Sequence, residues 1–353
     1  MLAPIVHILP LTNIRRERLL PVAGRVVARL DQKVSPMDVV AEADMGREHL
    51  LVDVSRLLGI PAERADTLIL CKPGERLMKN QLIVPRRGVF SQSIRSSVDG
   101  NVVAVGGGQV LLEVGDTTYE LHADVPGKIT RIIPERGVEI TSSGTLIQGV
   151  WGNDRVDYGL MLTAPKFNSP GDVLDVDQLD VSLRGAILLA GHCSDPHTIK
   201  VAGDLPLRGL ILGSISPEVI PAAMQAQFPI LVTDGFGHHP INSLAYKLLI
   251  TNIKREVAIN STSSNRHTGV RPEIIIPLPV SQELPVEPDL VEFSSGQQVR
   301  SCRNPNIFEV GILRSILPGS THFPSGVNAP AGEVMLESGQ KVVVPLVNLE
   351  VLG

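Results

Sequence analysis

One motif is written three times in this chain, and it limits the available folds more than any other feature. The copies are Pro21-Val22-Ala23-Gly24-Arg25-Val26-Val27, Ser97-Val98-Asp99-Gly100-Asn101-Val102-Val103 and Asp124-Val125-Pro126-Gly127-Lys128-Ile129-Thr130. In each, a valine stands two residues before a glycine and a β-branched run follows. Glycine permits a close backbone approach, and β-branched residues favour extended chain. A second element, a polar turn that restarts a strand, recurs at 31–40, 72–83 and 135–147. Repetition of this kind fixes architecture before it says anything of chemistry. The expectation is one compact β body that holds Gly24, Gly100 and Gly127.

These residues resemble the half-motifs of biotinyl/lipoyl-type domains, the barrel-sandwich hybrid, as found in Rnf- and Nqr-type redox subunits. The resemblance covers roughly 15–155 and implies a domain over 1–165. Its hosts perform many unrelated functions, so it implies a fold rather than an activity. The family's carrier lysine would be sought at Met78-Lys79. However, Gly74-Glu75-Arg76-Leu77-Met78-Lys79-Asn80-Gln81-Leu82 matches the structural turn instead, which makes Lys79 a solvated turn residue. No cofactor is expected.

Residues 46–67 interrupt the β pattern. Apolar residues from His49 to Leu58 fall at helical spacing and stop at Gly59, and Pro61 opens a second short helix. This reads as a helical insertion, either a lid over the barrel end or a partner-binding helix. Gly106-Gly107-Gly108 lacks the Lys-Ser/Thr ending of a phosphate loop and leads into a strand, so it reads as a hairpin turn. Trp151, the only tryptophan, reads as a plug between domains.

After a polar linker at 165–180 the texture changes. Continuous apolar runs at 185–191, 207–214 and 228–235 read as buried parallel strands, with helices at 196–202, 217–227 and 240–253 between and after them. A fourth strand at 255–259 and a last one at 271–277 complete a small Rossmann-like α/β domain over 181–280. The alternation is similar to that of DRTGG-type regulatory modules. Residues 260–268 read as a polar loop and 277–288 as a proline-rich linker. The final stretch, 289–353, has short strands, a Val310-Gly311-Ile312-Leu313 run and a Gly339 hairpin turn. It resembles a KOW/SH3-like barrel, a class that binds RNA or protein. The expected fold class is thus multidomain β and α/β: a barrel-sandwich hybrid, a parallel α/β domain and a C-terminal SH3-like barrel.

Composition excludes several classes. Aromatics make up 3% of the chain and the net charge is −5, which disfavours a globally basic nucleic-acid binder. The three cysteines, Cys71, Cys193 and Cys302, are dispersed and odd in number, which argues against a disulfide framework and for a reducing, cytoplasmic setting. The apolar N-terminus is broken by Pro4 and Pro10 and followed by Arg15, Arg16 and Arg18, the opposite polarity to a signal peptide. It reads as an edge strand, and no membrane partner is expected.

In open α/β sheets, ligands bind beyond the carboxyl ends of the strands. Three loops qualify: one with His192, Cys193, Asp195 and His197, one with Ser214 and Ser216, and one with Asp234, Gly235, Gly237, His238 and His239. They offer His and Asp ligands for a metal, Ser214, Cys193 and His197 for nucleophile–base chemistry, or helix starts for a small anion. The alternative is structural: Asp195 and Asp234 cap helices, and the histidines are polar strand ends. Two functions from different classes follow. One is a non-catalytic adaptor, assembly or ligand-sensing protein with protein partners. The other is a transcription- or translation-associated factor whose Arg300, Arg303 and Arg314 contact RNA phosphates. An enzyme acting at the strand ends is a third.

Overall fold

The computed structural model describes residues 1–86, 93–265, 268–279, 291–303 and 305–353. The chain is β-rich, with several sheets and five short α-helices among the described residues. The proline-rich linker falls from residue 280 onward outside the described residues, as do Arg266 and His267 of the polar loop.

The repeated glycines do what their pattern demands, but not in one body. Ile14, Leu20, Val34, Val40, Leu121, Val125, Ile129 and Ile140 form one core, which includes the surroundings of Gly24 and Gly127. Gly100 lies instead in a second β body. Its core is Val54, Ala65, Leu77, Ile83, Val102, Val110 and Leu112. This corrects the expectation of a single compact unit. Two long strands join the bodies, Val39–Asp53 and Gln109–His122, which pair antiparallel and run from one core into the other. The second body is therefore a lobe inserted into the first. Its helices are Val54–Leu58, closed by Gly59 in the left-handed conformation, and Ala62–Asp66. Residues 46–53, expected as part of the helical insertion, are strand, because Leu50 and Val52 point into the lobe core in alternation. Gly106, Gly107 and Gly108 form the hairpin turn of the strand pair Gly100–Gly106 and Gln109–His122.

The recurring unit has a fixed hydrogen-bond signature. Gly74, at φ +86°, donates to Val102 O, Val102 N donates to Glu75 O, and Gly100 pairs with Leu77. Asp31, at φ +65°, donates to Ile129 O, Ile129 N donates to Gln32 O, and Gly127 pairs with Val34. The C-terminal sheet holds a third instance. Gly296, at φ +92°, donates to Leu313 O, Leu313 N donates to Gln297 O, and Gly311 pairs with Val299. A bulge follows at the same place in each. The glycine is required because a Cβ at Gly100, Gly127 or Gly311 would lie 2.7, 2.5 or 2.5 Å from a carbonyl oxygen of the next strand. Met78 N donates to Gln81 Oε1 in the lobe as Ser35 N donates to Asp38 Oδ2 in the first body, so Lys79 occupies an ordinary position of this turn.

The α/β layer carries the parallel strands Val156–Thr163, Ile187–Cys193, Gly209–Ile215 and Ile230–Phe236 in sequential order. The last three are buried almost throughout, as their unbroken apolar runs require. Beyond Val156–Thr163 the sheet continues antiparallel through Glu256–Asn260 and Glu273–Pro277 to Gly137–Gln148, a strand of the first body. Val156–Thr163 thus belongs to this layer although it lies inside the 1–165 stretch expected as barrel. Ala258 and Ile275 are buried in the core of the first body, so the two units share a continuous sheet and not merely a linker.

The C-terminal sheet has six strands. Its outermost member is Ile5–Val6, which runs parallel to Leu349–Leu352 at the other end of the chain. Of the N-terminal segment read as an edge strand, Ile5–Val6 forms an edge of the C-terminal sheet, whereas Ile8–Leu19 pairs antiparallel with Gly137–Gln148 of the first body. Val6, Val310 and Leu352 are buried in the core of the α/β layer.

Candidate functional site

The carboxyl ends of the three central parallel strands bring together His192, Ser214, Asp234, Gly235, His238 and His239. The chain leaving Ile230–Phe236 turns back across the neighbouring strand ends and lies on them as a strap. Gly237 N donates to Ile215 O, and His239 N donates to Ser214 Oγ at 3.0 Å. His238 Nε2 lies 3.0 Å from Gly171 O, and Ile241 N donates to Pro170 O.

Hydrogen-bond accounting fixes the state of the central histidine. The Ser214 hydroxyl donates to His239 O at 2.6 Å, which uses its one proton. His192 Nδ1, 2.9 Å from that hydroxyl, must therefore be the donor there. Nε2 is left with its lone pair and accepts from Ser216 Oγ at 3.3 Å. His192 is 3% exposed, and its ring meets that of His238 edge-on at 4.7 Å. Burial, then the neighbouring His238 and His239, hold its imidazolium below the ordinary histidine range, so the ring stays neutral.

The nominal nucleophiles are in structural use. Ser214 is fully buried, with its proton committed to a backbone carbonyl. Cys193 is fully buried, and burial pushes its thiol up to about 12. His197 is exposed on the helix Pro196–Asp204, at whose start Asp195 accepts from His197 N at 2.9 Å; Asp195 is a helix cap. Among the described residues, no three His, Cys, Asp or Glu side chains group as a metal site. A surface hollow lined by Val27, Arg29, Leu30, Asp31 and Gln32 lies on the first β body, away from these loops.

Asp234 anchors a different arrangement. Its Oδ1 accepts from Asn242 Nδ2 at 2.9 Å and from Arg300 Nη1 at 2.9 Å. Its Oδ2 accepts from Asn242 N and Thr233 Oγ1. Asn242 in turn caps the helix Ser243–Thr251, so Asp234 braces a cap and is not the cap itself. Arg300 was expected at an RNA phosphate. It is 1% exposed and bound on its other side to Glu350, with Nη2 and Oε1 2.6 Å apart. Arg271 approaches the second oxygen of Glu350 at 3.2 Å. Burial alone would raise the Glu350 carboxyl, but Arg300 and Arg271 outweigh it and hold it below the carboxylate range. Arg303 and Arg314 are exposed.

The same face is covered by an aromatic ring. Phe308 of the C-terminal unit packs on Gly235, where a Cβ would lie 2.7 Å from the ring, and its ring centroid is 4.7 Å from that of His239. Phe308, Asn242, Glu350 and Arg271 had no part in the reading of the site from sequence. Phe308 carried a signal, being one of only seven phenylalanines in an aromatic-poor chain. Trp151 stacks edge-on with Phe236, with centroids 6.3 Å apart, beside this region.

No protein-family model and no curated protein matches this chain.

Proposed function

We propose that this protein is a non-catalytic adaptor or assembly protein whose α/β layer serves as a structural hub between partner-facing β modules. In this reading the first body and its lobe are of the barrel-sandwich type, and the C-terminal unit is an SH3-like barrel. The observation that carries it is the covering of the strand ends. An α/β sheet that binds a metabolite keeps a crevice open there. Here the segment Gly237–Ile241, the ring of Phe308 and the ion pairs of Arg300 fill it with the protein's own groups. Large apolar side chains meanwhile face solvent on the β modules, among them Leu51, Leu57 and Met78 on the lobe and Val343 and Val347 at the C-terminus. No helix among the described residues is long and apolar enough to cross a membrane.

The test is capture of the full chain from its own cells, followed by gel filtration. A stoichiometric protein partner that is lost when Leu51 and Leu57, or Val343 and Val347, are changed to Asp supports the adaptor reading. A chain that runs alone, and whose melting temperature rises with a nucleotide, phosphate or zinc, refutes it. The RNA-binding alternative retains Arg303 and Arg314. It requires filter binding that falls steeply with salt and weakens in the Arg303→Ala, Arg314→Ala variant.

A further inference from the structure

The two long strands that join lobe to body are not continuous as a ladder. From the body outward, Leu121 pairs with Ala41, Glu120 with Glu42, Tyr119 with Ala43 and Thr118 with Asp44. In the lobe, Glu113 pairs with His49 and the pairing then runs unbroken to Gln109 with Asp53. Between the two blocks only Asp116 pairs, with Arg47, and the register shifts on both sides of it. Each strand carries a left-handed glycine in this interval, Gly46 at φ +76° and Gly115 at φ +97°. Neither would bring a Cβ within 4 Å of another atom, so no close packing demands a glycine at either position. Residues 44–49 are all exposed. The apolar cores end on either side, at Ala43 and Leu121 in the body and at Leu50 and Leu112 in the lobe. The helices and short strands of the lobe pack on one another and on its own part of the ribbon.

A two-stranded ribbon without a core beneath it is marginal by itself. Here its ladder is also interrupted on both strands at one level. We infer that Gly46 and Gly115 form a hinge and that the described part of the lobe, residues 47–86 and 93–114, moves on it as a rigid arm. The motion needs no loss of either core from residues 44–49, which are exposed, and the described core residues end on either side of the interval. The glycines supply the backbone freedom on both strands at once. An arm of this kind presents the lobe surface and the main body to their partners at a variable separation. The inference does not depend on the adaptor reading, since it concerns the mobility of the lobe alone.

Two measurements test it. Spin labels are placed at Leu57 on the lobe and Val181 on the α/β layer, both exposed, with Cys71, Cys193 and Cys302 replaced by Ala. A control pair joins Val181 to Val347. The hinge gives a Leu57–Val181 distance distribution about twice as wide as the control, and equal widths overturn it. Hydrogen exchange on the unaltered chain covers the case in which the cysteine replacements unfold the protein. The hinge requires fast exchange at 45–48 and 114–117 between protected amides at 40–43, 50–53 and 110–112. Protection that continues through the interval overturns it.

Discussion

Arg300 Nη1 lies 2.9 Å from Asp234 Oδ1, and this contact ties the C-terminal sheet to the end of a central strand of the α/β layer. Both groups are almost entirely buried, and Glu350 completes the arrangement from the last strand of the chain. Removing one partner from such a network leaves an uncompensated charge in the interior. Arg300→Ala is therefore expected to destabilise the protein by about 3–5 kcal/mol, measured by denaturant unfolding. Arg300→Lys keeps the charge but not the fork that serves two carboxylates, and should recover only part of the loss.

The pH dependence follows from two groups. His192 has a folded value below its ordinary one, so the unfolded chain takes up the proton more readily. Its contribution is intact above about pH 6.5 and is lost as pH falls from there through the folded value. Glu350 is also lowered, and its contribution is lost further down, as pH falls below the ordinary carboxylate range. Stability is expected to decline in two stages on acidification. His192→Asn, which can still donate to Ser214, should abolish the upper stage and leave the lower one. An unchanged upper stage in that variant would refute the assignment.

The repeated glycines separate sterically from the merely flexible ones. Gly127→Ala and Gly311→Ala each place a Cβ 2.5 Å from a carbonyl oxygen, and each is expected to cost about 1–3 kcal/mol. Gly106→Ala meets nothing within 4 Å and should stay within about 0.5 kcal/mol of the parent. Chemical denaturation of the three variants makes the comparison.

Phe308 holds a left-handed backbone, φ +65°, that a bulky side chain seldom adopts. The ring contacts with Gly235 and His239 account for its retention. Phe308→Ala loses the ring and keeps the strain, whereas Phe308→Gly loses the ring and relieves it. Phe308→Gly should therefore be the more stable of the two by about 1 kcal/mol.

How far the sequence could be read depended on the range of the interactions. The parallel strands were legible because Ile187–Cys193, Gly209–Ile215 and Ile230–Phe236 are buried on both faces and so carry unbroken apolar runs. The turn at Gly59 and the hairpin at Gly107 were legible because their backbone needs are local. The separation of Gly100 from Gly24 and Gly127 was not, because one motif serves any sheet of this kind and nothing in it says which core it joins. The kinship of Gly311 with those glycines was hidden by different flanking residues, although its hydrogen bonds match theirs. At the strand ends, the loops could be read from the chain but the partners of their side chains could not. Arg300 reads as a surface cation until Asp234 and Glu350, 66 and 50 residues away, are seen on either side of it.

The pairing of Ile5 with Val351 and Val6 with Leu352 carries a consequence for biogenesis. Ile5 and Val6 cannot be seated as a strand until Val351 and Leu352 have been made. The C-terminal sheet thus stays open along that side until both segments exist, however remote they are in the chain. Deleting Ile5 and Val6 should accordingly loosen Leu349–Leu352 along the side they cover.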